Sequence, residues 1–172
     1  MAVMQTGTFL ALKYGSQAMS TTSSDKPKPK GNIVVTSSCA TLGREFADMA
    51  YTAAKNSCNG LVRSGAVQLS SSNIHVNAVA PEGVEYQLEK TAEEIRNESG
   101  TIYQRFGLGG DQTYYYNRSA APEEIANVAV FLASDLATAV NGLVIVADSG
   151  KTVAASGDTS TGPVLPISPF IL

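Results

Sequence analysis

The chain has 172 residues, room for one domain but not for two large ones. With 44% hydrophobic and 16% charged residues it has the composition of a soluble globular domain, and a net charge of −3 gives no basic footprint for nucleic acid. No apolar run approaches the roughly 20 residues of a membrane span, and two cysteines, Cys39 and Cys58, make neither a disulfide framework nor a metal site.

The opening MAVMQTGTFLALKYG has no basic segment followed by an unbroken apolar run, so a cytoplasmic protein is expected. Residues 3–19 place Phe9, Leu10, Leu12 and Met19 at loosely helical spacing among small residues, which predicts a helix. STTSSDKPKPKG, residues 20–31, is a polar loop rich in Pro and Lys. Ile33-Val34-Val35 then reads as a short buried strand ending at Thr36-Ser37-Ser38.

A second helix is expected over 47–69, where Met49, Ala53, Ala54, Leu61, Val62 and Ala66 recur at three- and four-residue steps. Gly60 inside it costs up to ~1 kcal/mol against Ala, and a close helix–helix approach would explain its presence. His75–Val79 is the next buried strand, closed by Pro81, with His75 read as a packed or backbone-bonded residue. LEKTAEEIRNES reads as an exposed helix with a solvated charged face, and QRFGLGGDQTYYYNRS as a loop. Pro122 opens another helix, with Glu123 and Glu124 suiting its positive end. Leu143–Ala147 is a third buried strand, with Asp148 in a cap or turn role. Residues 151–172, rich in Gly, Ser, Thr and Pro, read as a flexible tail beyond a domain at 1–150. Helices alternating with three short strands predict an α/β fold with a parallel sheet.

Chemistry concentrates between Thr36 and Lys55. Tyr51 and Lys55 are four residues apart and share a helix face. An ammonium beside a phenol favours the phenolate, which makes the phenol a usable general acid or base. Ser38, delivered from a strand end, could hold a substrate oxygen beside it. Such a trio suits ketones, alcohols or enols.

The text around it, GNIVVTSS, YTAAKNSCNGLVRSGAVQL, IHVNAVAP and APEEIANVAVFLASD…NGLVIVADSG, resembles the short-chain dehydrogenase/reductase family over residues 3–150. The resemblance implies a truncated Rossmann-like sheet of three strands flanked by helices, matching the family's last strands, with Ser38, Tyr51 and Lys55 as the catalytic residues. It also implies a dimer seam formed by the helices at 3–19 and 47–69, and so a homo-oligomer. The strand at 33–36 would have an unpaired edge, and bare edges recruit partners.

Several positions depart from the family. Its Thr-Gly-x-x-x-Gly-x-Gly turn is absent from these residues, and Gly107-Leu108-Gly109-Gly110 fails the strand–turn–helix context of a phosphate loop. Met4 stands where the family has the asparagine of its proton relay. Pro81 is followed by Glu82 instead of Gly, Tyr86 replaces a Thr, and Ser149 stands where Gly is usual. These departures argue for no cofactor, and for a small apolar, oxygen-bearing substrate such as a polyketide or terpenoid held near Met4, Pro81, Glu82 and Tyr86. Three readings remain open: a cofactor-independent cyclase, isomerase or dehydratase; an NAD(P)-dependent oxidoreductase completed by another chain or segment; and a catalytically silent interaction subunit.

Overall fold

A computed structural model describes residues 2–42, 47–82, 84, 120–150 and 152. The sheet is built from β1 (Gly31–Thr36), β2 (Ile74–Pro81) and β3 (Val144–Ala147), all parallel and in the order β1-β2-β3. Helix α1 (Gly7–Ser20) precedes β1, α2 (Met49–Gln68) joins β1 to β2, and α3 (Pro122–Ala133) precedes β3. The α/β expectation therefore holds, with each described element starting and ending within about four residues of where periodicity put it.

Two helices cover one face of the sheet. Leu12 of α1 and Cys58, Val62 and Ala66 of α2 pack on Val35, Val76 and Ala78, the alternate residues of β1 and β2 that point one way. The opposite face receives α3, whose last residue, Ala133, accepts a 2.8 Å hydrogen bond at its carbonyl from the Asn32 amide. Cys39 and Cys58 are free and buried.

Local chemistry sets the helix ends. The Asp48 carboxylate accepts from the Tyr51 N–H at 2.7 Å, an N-cap that fixes the start of α2. At α3, Pro122 occupies the first turn and the Glu124 carboxylate accepts from the Ala121 N–H at 2.8 Å. The chain enters α1 through a π-helical turn at Ala2–Thr6, which hydropathy spacing does not reveal.

The structure corrects two packing expectations. Among the described residues a Cβ on Gly60 would meet nothing within 4 Å, so no close approach to them explains that glycine; Gly65 is the one that lies against Val76 and Leu12. Met49 is 90% exposed, because it falls in the first turn of α2, beyond the reach of the sheet. His75 is half-buried in β2. The helix expected at LEKTAEEIRNES, the tyrosines at 114–116 and the flexible tail lie outside the described residues, Thr152 apart.

A pair of asparagines clamps the segment entering β3. Asn77, 1% exposed, donates to the Val140 carbonyl at 2.8 Å and accepts from the Leu143 N–H at 3.1 Å. Asn141 reciprocates, accepting from the Val76 N–H at 2.9 Å and donating to the Ala66 carbonyl at 3.3 Å. A strand end, a turn and α2 are thus held by side chains that meet otherwise unpaired backbone groups.

Candidate active site

The candidate residues gather at the C-terminal ends of the parallel strands, the crevice where ligands bind in open α/β sheets. Ser38 follows β1, and its hydroxyl oxygen accepts from the Ala40 N–H at 3.2 Å. Tyr51 and Lys55 occupy successive turns of α2, and both are half-buried. The Lys55 ammonium lies over the Tyr51 ring, 5.6 Å from its centroid, and donates to the Thr36 carbonyl at 2.8 Å. That bond ties α2 to the end of β1, two residues before Ser38. A second tie lies beneath it: the buried Ser37 hydroxyl donates to the Asn59 side-chain oxygen at 2.5 Å. Asn59 interrupts the apolar face of α2, a signal that the sequence carried and that periodicity alone passes over.

The other predicted residues are more scattered. Pro81 is the last residue of β2, half-buried, and Glu82 beside it is buried. Met4 lies in the π-helical turn, where its carbonyl accepts from the Thr8 hydroxyl at 2.7 Å. Tyr86 lies outside the described residues.

One cluster was not anticipated. Cys39, Glu82 and Asp148 follow β1, β2 and β3 respectively and share the rim of the sheet. Burial, and then the charges of Glu82 and Asp148, push the Cys39 thiol up to about 12, so it is no nucleophile near neutral pH. Burial alone would raise the Asp148 carboxyl. The Thr152 hydroxyl at 2.5 Å and the N–H groups of Thr152 and Gly150, at 2.8 and 2.9 Å, outweigh it and hold the group below the usual carboxylate range. Asp148 has the turn role expected of it. Ser149, where a glycine is usual, is in the left-handed region at φ 56°.

A three-stranded parallel sheet flanked by helices is a Rossmann-like α/β scaffold. The comparisons specify it. A family profile described as Enoyl-(Acyl carrier protein) reductase matches residues 1–152. The chain is 31% identical over 157 residues to short chain aldehyde dehydrogenase 1 of Euphorbia lathyris, covering 90% of this chain and 52% of that protein. It is 36% identical over 126 residues to meso-2,3-butanediol dehydrogenase of Serratia marcescens, covering 73% and 46%. It is 36% identical over 124 residues to the 3-oxoacyl-[acyl-carrier-protein] reductase FabG of Thermotoga maritima, covering 72% and 46%. The chain belongs to the short-chain dehydrogenase/reductase family. It spans about half the length of the curated relatives it matches.

These findings correct the expectation of no cofactor. The relatives are named dehydrogenases and reductases, and such reactions need a hydride acceptor or donor; in the family this chain resembles, that is a nicotinamide dinucleotide. A cyclase or isomerase finds no support among them. The chemistry of this chain suits the reactive end of such a cofactor, since an ammonium lies over a phenol ring and is tied to the strand end that leads to Ser38. Among the described residues, no glycine-rich turn follows a strand and opens a helix, so a cradle for the phosphates is not among them.

Proposed function

We propose that this chain carries the acid–base half of an NAD(P)-dependent oxidoreductase acting on a secondary alcohol or the corresponding ketone. One observation carries the reading: Lys55 lies over the Tyr51 ring and is tied to the Thr36 carbonyl, two residues before Ser38, at the C-terminal end of β1. Two of the reported relatives point the same way, because butanediol is a secondary alcohol and a 3-oxoacyl group is a ketone. In this role the cofactor accepts or supplies the hydride. Tyr51 gives or takes the proton at the substrate oxygen. Ser38 donates a hydrogen bond to that oxygen, and Lys55 supplies positive charge beside the phenol. Pro81, Glu82, Met4 and Tyr86 are the candidates for shaping the substrate end. The nucleotide phosphates fall to a glycine-rich segment outside these residues, in keeping with the half-length match.

Self-association through α1 and α2 belongs to the same proposal. Phe9 and Leu10 are 50% and 40% exposed on α1, and a groove of about 360 Å³ runs between Leu12, Ser16, Leu61 and Gly65.

The test is turnover of nicotinamide cofactor with a panel of ketones and secondary alcohols, by the chain alone and joined to the nucleotide-binding half of a relative. Tyr51→Phe should abolish turnover while leaving the melting temperature unchanged. Equal turnover by wild type and Tyr51→Phe would sink the role given to Tyr51.

A further inference from the structure

Asn59 has no place in the hydrophobic pattern that holds α2 to the sheet. It is 7% exposed, and the other buried residues of that helix are Ala54, Cys58, Val62 and Ala66. Its partner Ser37 is 2% exposed. Burying two polar groups costs free energy that their mutual bond only offsets, and an apolar pair of the same shape would serve stability as well or better. A hydrogen bond adds what an apolar contact lacks, a set distance and direction. Stability therefore gives no reason for this pair, whereas alignment does.

The pair sits where β1, β2 and α2 meet. The Ser37 N–H bonds the Val79 carbonyl at 2.8 Å, which fixes the Ser37 backbone to β2. Its hydroxyl then reaches across to Asn59 of α2 at 2.5 Å. The next residue is Ser38. Its carbonyl accepts from the Thr41 N–H at 3.1 Å and the Thr41 hydroxyl at 2.9 Å, and its hydroxyl accepts from the Ala40 N–H at 3.2 Å. Along α2, Tyr51, Lys55 and Asn59 recur every four residues and form one stripe. Asn59 lies about 12 Å along that stripe from Tyr51. The Lys55 tie to Thr36 is exposed and made by a long, flexible side chain, so water competes for it. The Ser37–Asn59 tie is buried and made by two short side chains, so it has little slack. An O–H···O bond holds over roughly 2.5–3.0 Å, so a slide of α2 by more than about half an ångström breaks it.

We propose that Asn59 is a positioning residue: through Ser37 it fixes the stagger of α2 against the end of β1, and with it how Tyr51 stands relative to Ser38. Asn59 touches neither reacting group. It acts on Ser38 through the adjoining peptide and on Tyr51 through the shared helix. Lys55 is thereby free to serve as a charge beside the phenol, since the alignment does not depend on its bond to Thr36. The inference rests on the oxidoreductase reading for the roles of Tyr51 and Ser38, and its first readout does not use activity.

The test separates alignment from stability. Ser37→Ala or Asn59→Leu alone leaves a buried polar group without its partner and should destabilise the chain. Ser37→Ala/Asn59→Leu leaves no such group, so the urea midpoint should return close to wild type while the tie stays absent. A role in stability alone would be restored with it. Hydrogen exchange of the full chain is the first readout. In the double variant the Ala40 and Thr41 amides, which bond Ser38, should exchange about tenfold faster or more, since the turn they close has lost its anchor. The Ala78 amide, bonded to the Leu143 carbonyl at 2.8 Å in the core of the sheet, should not change. If the double variant does not regain wild-type stability, Ser37→Ala alone gives the same comparison, read as exchange at Ala40 relative to Ala78. The second readout is the turnover assay given above. There kcat should fall roughly 10- to 100-fold with KM unchanged, the cost of misaligned reacting groups. In a Ser38→Ala background the double variant should lower kcat little further, because the group it aligns is gone. Wild-type exchange at Ala40 and Thr41 in the double variant would overturn the proposal, and so would a wild-type kcat. Faster exchange in a chain that turns over no nicotinamide substrate would retire the oxidoreductase reading and leave Asn59 as the residue that sets Ser38. Tyr51-dependent turnover that the double variant leaves unmoved would do the reverse.

Discussion

Replacing Asn77 with alanine tests whether the site is held by side-chain clamps on the backbone. Asn77 is 1% exposed and satisfies two main-chain groups, the Val140 carbonyl at 2.8 Å and the Leu143 N–H at 3.1 Å. Alanine leaves both without that partner. An orphaned buried backbone group costs about 1–3 kcal/mol. Both groups lie at a partly buried turn where water can reach in, so the lower half of that range applies, and the pair amounts to ~2–4 kcal/mol. Against a total stability of about 5–15 kcal/mol for a domain, that is a large fraction. Urea denaturation, compared with Asn56→Ala as an exposed control, measures it. Asn56 only returns a 2.9 Å bond to the Thr52 carbonyl one turn away, so its loss should cost no more than ~0.5 kcal/mol. A loss at Asn77 no larger than that of the control would refute the clamp.

Three further outcomes follow from the geometry. Asp48→Ala removes the cap that accepts from the Tyr51 N–H at 2.7 Å; the midpoint of urea unfolding should fall by an amount equal to about 1 kcal/mol, and an unchanged midpoint would show that the cap is idle. Ser149→Gly relieves a left-handed backbone at φ 56° and should stabilise by up to about 1 kcal/mol, whereas a loss of stability would mean that the serine side chain has a role of its own. The Asp148 carboxyl is held below its usual range in the folded chain, so its contribution is full above the unfolded pKa near 3.8 and fades as pH falls through the lower folded value. Acid titration followed by circular dichroism should therefore show Asp148→Asn less stable at neutral pH, with the difference shrinking in acid. A difference constant with pH would assign the effect to shape and not to charge.

Much of the scaffold was legible because its elements follow simple periods. The runs at Ile33–Val35, His75–Val79 and Leu143–Ala147 are short and apolar, as strands of parallel sheets are; β2 is buried as expected, whereas β1 and β3 are mostly half-buried. Pro122 with Glu123 and Glu124 announced α3 through its end chemistry. Met49 misled because periodicity does not say where a helix leaves the sheet. Gly60 misled because a glycine's reason lies in tertiary contacts, and those fall at Gly65.

The candidate residues Ser38, Tyr51 and Lys55 stood out through spacing and resemblance, but the bonds around them did not. The bonds from Lys55 to Thr36 and from Ser37 to Asn59 join residues 19 and 22 positions apart. No local pattern encodes such pairs. The rim cluster of Cys39, Glu82 and Asp148 exists only because three strand ends come together in the sheet. The expectation of no cofactor failed for a different reason. Met4, Glu82, Tyr86 and Ser149 were read as a loss of nucleotide binding, yet the relatives that match this stretch are named dehydrogenases and reductases. Local departures tune a site; they do not report on a segment elsewhere.

We propose that these residues serve a nicotinamide-dependent redox reaction. Calorimetric titration of NADH and NADPH into the chain joined to the nucleotide-binding half of the Thermotoga maritima relative tests it most directly. The account predicts binding at micromolar affinity, weakened by Lys55→Met and left intact by Asn56→Ala. No heat from either cofactor in that folded fusion would contradict it.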